Sequence, residues 1–273
     1  MTWYNKSMDI DFDLTRPTLI GLAGKAGSGK TSVAEQLCPK AAIGLPKVEG
    51  LIKDVLWDHI FYALPLYEMA GIKKSIKGLN EKSRKKHAIH NVLYDLYGGS
   101  PIGNMPDYDT MVEKVNQIYA LPIESDDTKP RSFLQKAGDI CRDGYPNCFA
   151  EWAILKSYRL YRNYISSLEE DQNPIPFYVI VSDVRCPNEV EAIQKMPNGH
   201  VIYYSATEET LNKRLFKRDG YLPNQEHRSH PTEAQADKVK QMVDAIIETD
   251  NLTIEQQVEA TLSILGLKEK INA

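Results

Sequence analysis

Residues 24–31, Gly-Lys-Ala-Gly-Ser-Gly-Lys-Thr, satisfy the pattern GxxxxGK[ST] directly after an apolar run and directly before a helical one. Glycines let such a loop curl until successive backbone N–H groups point inward at phosphate oxygens. A helix opening near Lys30 adds its partial positive charge at the same place. Lys30 can reach β- and γ-phosphates as a mobile point charge, and the Thr31 hydroxyl can ligate Mg2+. Gly24, Ala26, Gly27, Ser28, Gly29, Lys30, Thr31 and Ser32 are therefore the expected contacts of a Mg-nucleoside triphosphate. The plain alternative is a glycine-rich strand–helix turn with a chance lysine, and the full pattern in this context argues against it.

Three further groups of residues carry chemistry. Asp183 and Arg185 stand at the end of a second apolar run, where strand ends converge on the ligand crevice of a parallel sheet. Asp183 can hold Mg2+ through water or orient an acceptor, and Arg185 can bind a phosphate. The competing reading makes Asp183 a helix N-cap with Arg185 as its surface partner. Arg214 and Arg218 are four apart on an expected helix, thickened by Lys213 and Lys217. That spacing suits a clamp on a transferring phosphoryl group or, equally, a solvated basic face. In residues 131–142, RSFLQKAGDICR, Arg131 and Gln135 share one helical face beside Phe133, Leu134 and Ala137.

A layered α/β fold is expected to position these groups. Thr18–Ala23 and Phe177–Ser182 are continuous apolar or β-branched runs suited to strands buried on both faces. Val201–Tyr204 and Ala245–Glu248 read as two more, and each strand leads into a helical pattern: Ser32–Leu37 ended by Pro39, Asn188–Gln194, Thr207–Arg218, and a stripe of Ile254, Val258, Leu262 and Leu265 behind a Thr253/Gln256 capping box. Such alternation means a mainly parallel sheet flanked by helices. About 46–130 reads as a mostly helical insertion within one domain, the core being about 17–45 and 131–265.

Composition narrows the classes. The 273 residues carry a net charge of −4, which argues against coating nucleic acid, so no nucleic-acid partner is expected. With 42% hydrophobic and 26% charged residues the chain is of globular composition. No apolar run approaches the roughly 18–20 residues of a membrane helix, and the polar N-terminus lacks a signal-peptide core. Cys38, Cys141, Cys148 and Cys186 form neither a disulfide framework nor a CxxC pair. The expectation is a soluble cytoplasmic protein without a membrane partner.

Several segments together resemble the bacteriophage deoxynucleoside monophosphate kinases among the P-loop kinases. They are GKAGSGKT, FYALPLYEM (61–69), RSFLQKAGDICR, SDVRCPNEVEAI (182–193), RLFKR, and the short segment 227–233, HRSHPTE. The resemblance implies a P-loop kinase core with a helical monophosphate-binding region and a lid at about 207–235, moving the ATP γ-phosphoryl group to a deoxynucleoside monophosphate in the host cytoplasm. It implies ATP and Mg2+ at Gly24–Thr31, with Asp183 and Arg185 as the family's DVR and Arg214 and Arg218 as lid arginines. Arg131, Gln135 and Arg142 match its RxxLQ…R positions and would address the acceptor, with Asp139 and Trp152 beside them. A homodimer is compatible with it. Cys186 where an aromatic is usual, Cys141 beside Arg142, Thr232 for a serine and a long insertion depart from the family pattern.

Other features have plainer readings. The basic stretch Lys73–His90 is read as a solvated helical face, His87 and His90 lack companion ligands, and Tyr158, Tyr161 and Tyr164 are read as core. Trp152 suits either the acceptor site or the core. Two other functions fit the phosphate loop: a kinase for another phosphorylated small molecule of the dephospho-coenzyme A type, and a switch or motor ATPase.

Overall fold

Five strands, β1 (Thr18–Ala23), β2 (Leu56–Ile60), β3 (Phe177–Val184), β4 (His200–Ser205) and β5 (Ala245–Glu248), form one sheet in the order β2-β3-β1-β4-β5. Every pairing is parallel. The computed structural model describes residues 15–38, 56–98, 106–123, 130–220 and 235–267; Pro39 and the 227–233 segment lie outside them. Among the described residues the helices are α1 (Lys30–Leu37), α2 (Leu64–Ser75), α3 (Glu81–Tyr97), α4 (Tyr108–Ala120), α5 (Arg131–Arg142), α6 (Cys148–Ser166), α7 (Pro187–Gln194), α8 (Glu208–Asp219), α9 (Ala236–Met242) and α10 (Ile254–Ile264). None of the described helices is long and apolar enough to cross a membrane.

The chain divides into two compact units, residues 1–61 with 156–273, and residues 62–155. In the first, the sheet carries helices on both faces. Ile20, Leu22, Trp57, Tyr178, Ile202 and Tyr204 make one core with Val33 and Leu37 of α1 and Val258 and Leu262 of α10. On the other face Tyr161 and Tyr164 of α6 pack on Phe177, and α7 comes so close that a Cβ on Gly21 would meet Ile193 at 2.8 Å. The all-buried pattern of β1 follows from this double cover, as its unbroken apolar sequence implies. Thr253 and Gln256 close the capping box at the start of α10.

The stretch 46–130, expected to be mostly helical, also contributes a strand: Leu56–Ile60 lies at one edge of the sheet. Asp58 and His59 interrupt its apolar run, so no strand period shows in the sequence. The inserted unit itself begins at Tyr62 and runs to Leu155, taking in α5 and the start of α6.

Within that second unit, lysines hold helix ends together. Lys114 is buried and donates to the carbonyls of Ile140 (2.7 Å) and Asp143 (2.8 Å) at the C-terminus of α5. Lys73 does the same for Ile118, Tyr119 and Leu121 at the end of α4. Ammonium groups suit these positions, where unsatisfied carbonyls carry the negative end of the helix dipole.

Candidate phosphate-binding site

Between β1 and α1 the chain turns through three glycines in left-handed backbone, Gly24 (φ 136°), Gly27 (φ 87°) and Gly29 (φ 102°). Space demands glycine as well. A Cβ on Gly24 would stand 2.4 Å from the Tyr204 carbonyl oxygen, one on Gly27 would meet Leu211 O at 3.0 Å, and one on Gly29 would meet Gln257 Oε1 at 2.5 Å. The loop is thus pressed between the end of β4, α8 and α10. Gly29 caps α1 without a side-chain hydrogen bond, and the first turn holds no acidic residue. The helix therefore presents N–H groups and positive dipole with no built-in anion.

Lys30 curls back over this loop. It is 6% exposed, and its ammonium donates to the carbonyls of Gly24 (2.6 Å) and Lys25 (3.0 Å) and to the Ser28 hydroxyl (3.2 Å). Ser28 is buried, Ala26 half-buried, and Thr31 and Ser32 are exposed on the first turn of α1. A cradle that admits no Cβ, a lysine inside it and a hydroxyl at the helix start fit the phosphates and Mg2+ of a nucleotide.

Asp183 precedes Val184, the register partner of Ala23, which is the last residue of β1 before this loop. β1 and β3 pair Gly21 with Val181 but Ala23 with Val184, so β3 carries one extra residue just where Asp183 lies. Such a bulge re-aims side chains. The helix after it is capped by Cys186, not by Asp183, with Glu189 completing the capping box. Glu189 Oε2 accepts the backbone N–H groups of Arg185 (2.8 Å) and Cys186 (3.0 Å). Glu189 is absent from the residues expected at the site, although a glutamate at the third position of a helix is a legible signal.

The two arginines of α8 do not act as a matched pair. Arg214 donates to the Thr249 hydroxyl and carbonyl, whereas Arg218 makes a bidentate contact with the neighbouring Asp219. Lys25 of the loop pairs with Glu208 at 2.8 Å, and that hydrogen bond raises the lysine pKa. Thr207 donates from its backbone and hydroxyl to Asp250, and the hydroxyl bonds of Thr207 and Thr210 hold that carboxyl down at about 2.

At the opposite edge of the sheet His59 Nε2 lies 2.6 Å from Ser182 Oγ, and burial pushes the imidazole down to about 4. Its neighbour Asp58 is 5% exposed, and burial raises its pKa against the opposing bond from the His59 N–H. Neither residue had a sequence signal.

The acceptor candidates lie in the second unit, on α5 and α6. Phe133, Ala137, Gly138 and Cys141 form the buried stripe of α5. Arg131, Gln135 and Asp139 follow at four-residue steps on another stripe, with Asp139 exposed. The Arg142 guanidinium rests 4.6 Å over the Phe149 ring. Trp152 is 4% exposed and donates its indole N–H to Asp95 at 3.1 Å, which places it in the core of the unit.

No family model and no curated protein matches this sequence. Among solved structures it is similar to TT1252 from Thermus thermophilus, with 17% identity over 92% of this chain and 99% of that one and a TM-score of 0.38. It is also similar to shikimate kinase from Bacteroides thetaiotaomicron, with 10% identity over 94% and 99% and a TM-score of 0.30. Neither likeness bears on the site, which stands on its own geometry.

Proposed function

We propose that this chain is a Mg-ATP-dependent kinase that transfers the γ-phosphoryl group to a deoxynucleoside monophosphate, giving the diphosphate and ADP. The observation that carries the first half is Lys30 held inside a loop of three left-handed glycines at the start of an uncapped helix. A phosphate chain offers that ammonium stronger acceptors than the two carbonyls it now touches. Thr31 and Asp183 are the groups to hold Mg2+, which would neutralise charge on the transferring phosphates.

The acceptor half rests on the resemblance of residues 131–142 and 182–193 to the phage enzymes. In this reading Arg131, Gln135 and Arg142 hold the acceptor nucleotide, with Asp139 at its margin and Trp152 supporting the helix from the core. Arg185 and Arg218 are the cations that meet phosphoryl oxygens as charge shifts from donor to acceptor. Positioning and charge neutralisation dominate such a transfer, so the residues needed are those that bind and orient.

The test is ADP release with Mg-ATP and separate dAMP, dGMP, dCMP, dTMP and ribonucleotide acceptors, with Lys30→Ala as the blank. Acceptor-dependent turnover by one or more deoxynucleotides is the expected result. Turnover indifferent to every acceptor would sink the nucleotide-kinase reading.

A further inference from the structure

The extra residue in β3 needs partners of its own. From Gly21 to Ala23 β1 takes two steps while β3 takes three, from Val181 to Val184, and the residues inside that interval are Ser182 and Asp183. Parallel ladders rarely tolerate a bulge, because their hydrogen bonds are evenly spaced. This one lies in a strand paired on both sides, with β1 and β2.

Two groups from outside β3 bracket it, the half-buried His59 and the buried Glu189. His59 is the register partner of Ile180 and shares a sheet face with Ser182, two residues on. Its Nε2 lies 2.6 Å from Ser182 Oγ. Glu189 is 2% exposed and receives the N–H groups of Arg185 and Cys186. One anchor grips the residue before Asp183, and the other grips the second and third residues after it.

The chemistry of the second anchor exceeds what a helix start requires. A reciprocal cap normally uses a hydroxyl at the N-cap, and Cys186 offers only a weak acceptor there. A glutamate this deeply buried is costly unless donors surround it. Glu189 spends one of its bonds on Arg185 N, which lies outside the helix at the exit of the bulged strand. We infer that His59 and Glu189 are positioning residues that fix the β3 bulge and so hold the Asp183 carboxylate beside the phosphate loop. This rests on the reading of Asp183 as the acidic group of the nucleotide site.

Calorimetry of ADP binding with and without Mg2+ tests it, since the ratio of the two affinities reports the Mg2+ linkage without needing turnover. The proteins are wild type, Asp183→Asn, Ser182→Ala, Glu189→Ala, Glu189→Gln and the double variant Asp183→Asn with Glu189→Ala. Supporting groups behind metal ligands commonly affect affinity by about 10–100-fold. Asp183→Asn and Glu189→Ala should each reduce the linkage by about tenfold, and Ser182→Ala by about threefold. Glu189→Gln keeps an oxygen for both N–H groups and should stay within about twofold of wild type, rescue that loss of charge alone would not allow. The double variant should lose no more than Asp183→Asn alone, because the two act through one group. Full additivity, or an unchanged linkage in folded Glu189→Ala, overturns the positioning role. An unchanged linkage in Asp183→Asn overturns instead the reading of Asp183. Should Glu189→Ala fail to fold, Ser182→Ala takes its place in the cycle, and full additivity there is equally fatal.

Discussion

Arg214 grips Thr249 at two points, donating from Nη1 to the hydroxyl at 3.0 Å and from Nη2 to the carbonyl at 2.6 Å. Thr249 is fully buried, and its Oγ1 lies 3.1 Å from Ser205 O and 3.5 Å from Ser28 O. The guanidinium therefore fastens α8 to the loop after β5, and through it to the back of the phosphate loop. The neighbouring arginine on the same stripe, Arg218, is engaged with Asp219. Four-residue spacing puts two cations on one helix, yet their partners give them different work.

Arg214→Ala should weaken nucleotide binding as well as turnover. Hydrogen bonds from a charged donor contribute about 1.5–3 kcal/mol each, and removal leaves a buried carbonyl and hydroxyl short of a partner. A loss near 2 kcal/mol corresponds to a fall of roughly 4–8 °C in Tm for a chain of this size. Arg218→Ala, which removes a half-exposed cation from its neighbour Asp219, should lower Tm by less than Arg214→Ala and act chiefly on turnover. Calorimetric ADP affinity beside thermal unfolding checks both, and an Arg214→Ala protein with wild-type affinity and Tm would return that residue to a purely transition-state role.

Two glycine substitutions should move stability in opposite directions. Gly29 has φ 102° and the buried Gln257 Oε1 where a Cβ would go, so Gly29→Ala should cost more than about 2 kcal/mol and abolish ADP binding. Gly71 lies inside α2, exposed, with nothing within 4 Å of a Cβ. Gly71→Ala should stabilise by about 1 kcal/mol, the difference in helix propensity. Urea unfolding of both proteins decides it, and equal signs would contradict the argument.

What the sequence makes legible is what local periodicity encodes. β1 and the first five residues of β3 announce themselves because both faces are covered and the run is apolar or β-branched, and the cap of α10 is written in Thr253 and Gln256. β2 is silent because its middle residues are polar, although Asp58 ends up 5% exposed. Lys73 sits in a basic run that suits a solvated face, yet it closes the end of a helix 45 residues away. Trp152 suits acceptor site or core by sequence alone, and only its indole bond to Asp95 distinguishes the two. Long-range partners of single polar residues leave no period behind, and the bulge at Asp183 is likewise a property of pairing between strands far apart in sequence.

Stability should fall on mild acidification through His59. Burial depresses its folded pKa to about 4 from an ordinary 6.5. The unfolded chain thus takes up the proton first, and the contribution is complete above pH 6.5 and lost as pH falls through about 4. It amounts to no more than about 3 kcal/mol. His200, also lowered by burial, acts in the same direction, while the raised pKa of Asp58 opposes both, its contribution fading as pH rises through that value. Comparing unfolding free energies at pH 7 and pH 4.5, His59→Gln should show a shallower decline than wild type. Parallel curves would mean that His59 does not titrate with folding.

Lys114 should prove to be the strongest single cation in the second unit. It is 4% exposed, and besides the carbonyls of Ile140 and Asp143 its ammonium lies 3.6 Å from the Asp143 carboxylate. The helix end that it closes belongs to α5, which carries Arg131, Gln135, Asp139 and Arg142. Lys114→Met keeps most of the apolar stem but leaves the carbonyls of Ile140 and Asp143, in part-buried bonds, without this donor. Each such loss costs about 1–3 kcal/mol, so the unit should lose roughly 3 kcal/mol of stability. Exposed Lys82 on α3 is the control, and Lys82→Met should change stability by less than about 0.5 kcal/mol. Hydrogen exchange localises the effect: amides of α5 should lose protection in Lys114→Met while those of β1 and β3 do not. Uniform loss across the chain would show that the lysine supports the whole fold and not the helix that bears the acceptor candidates.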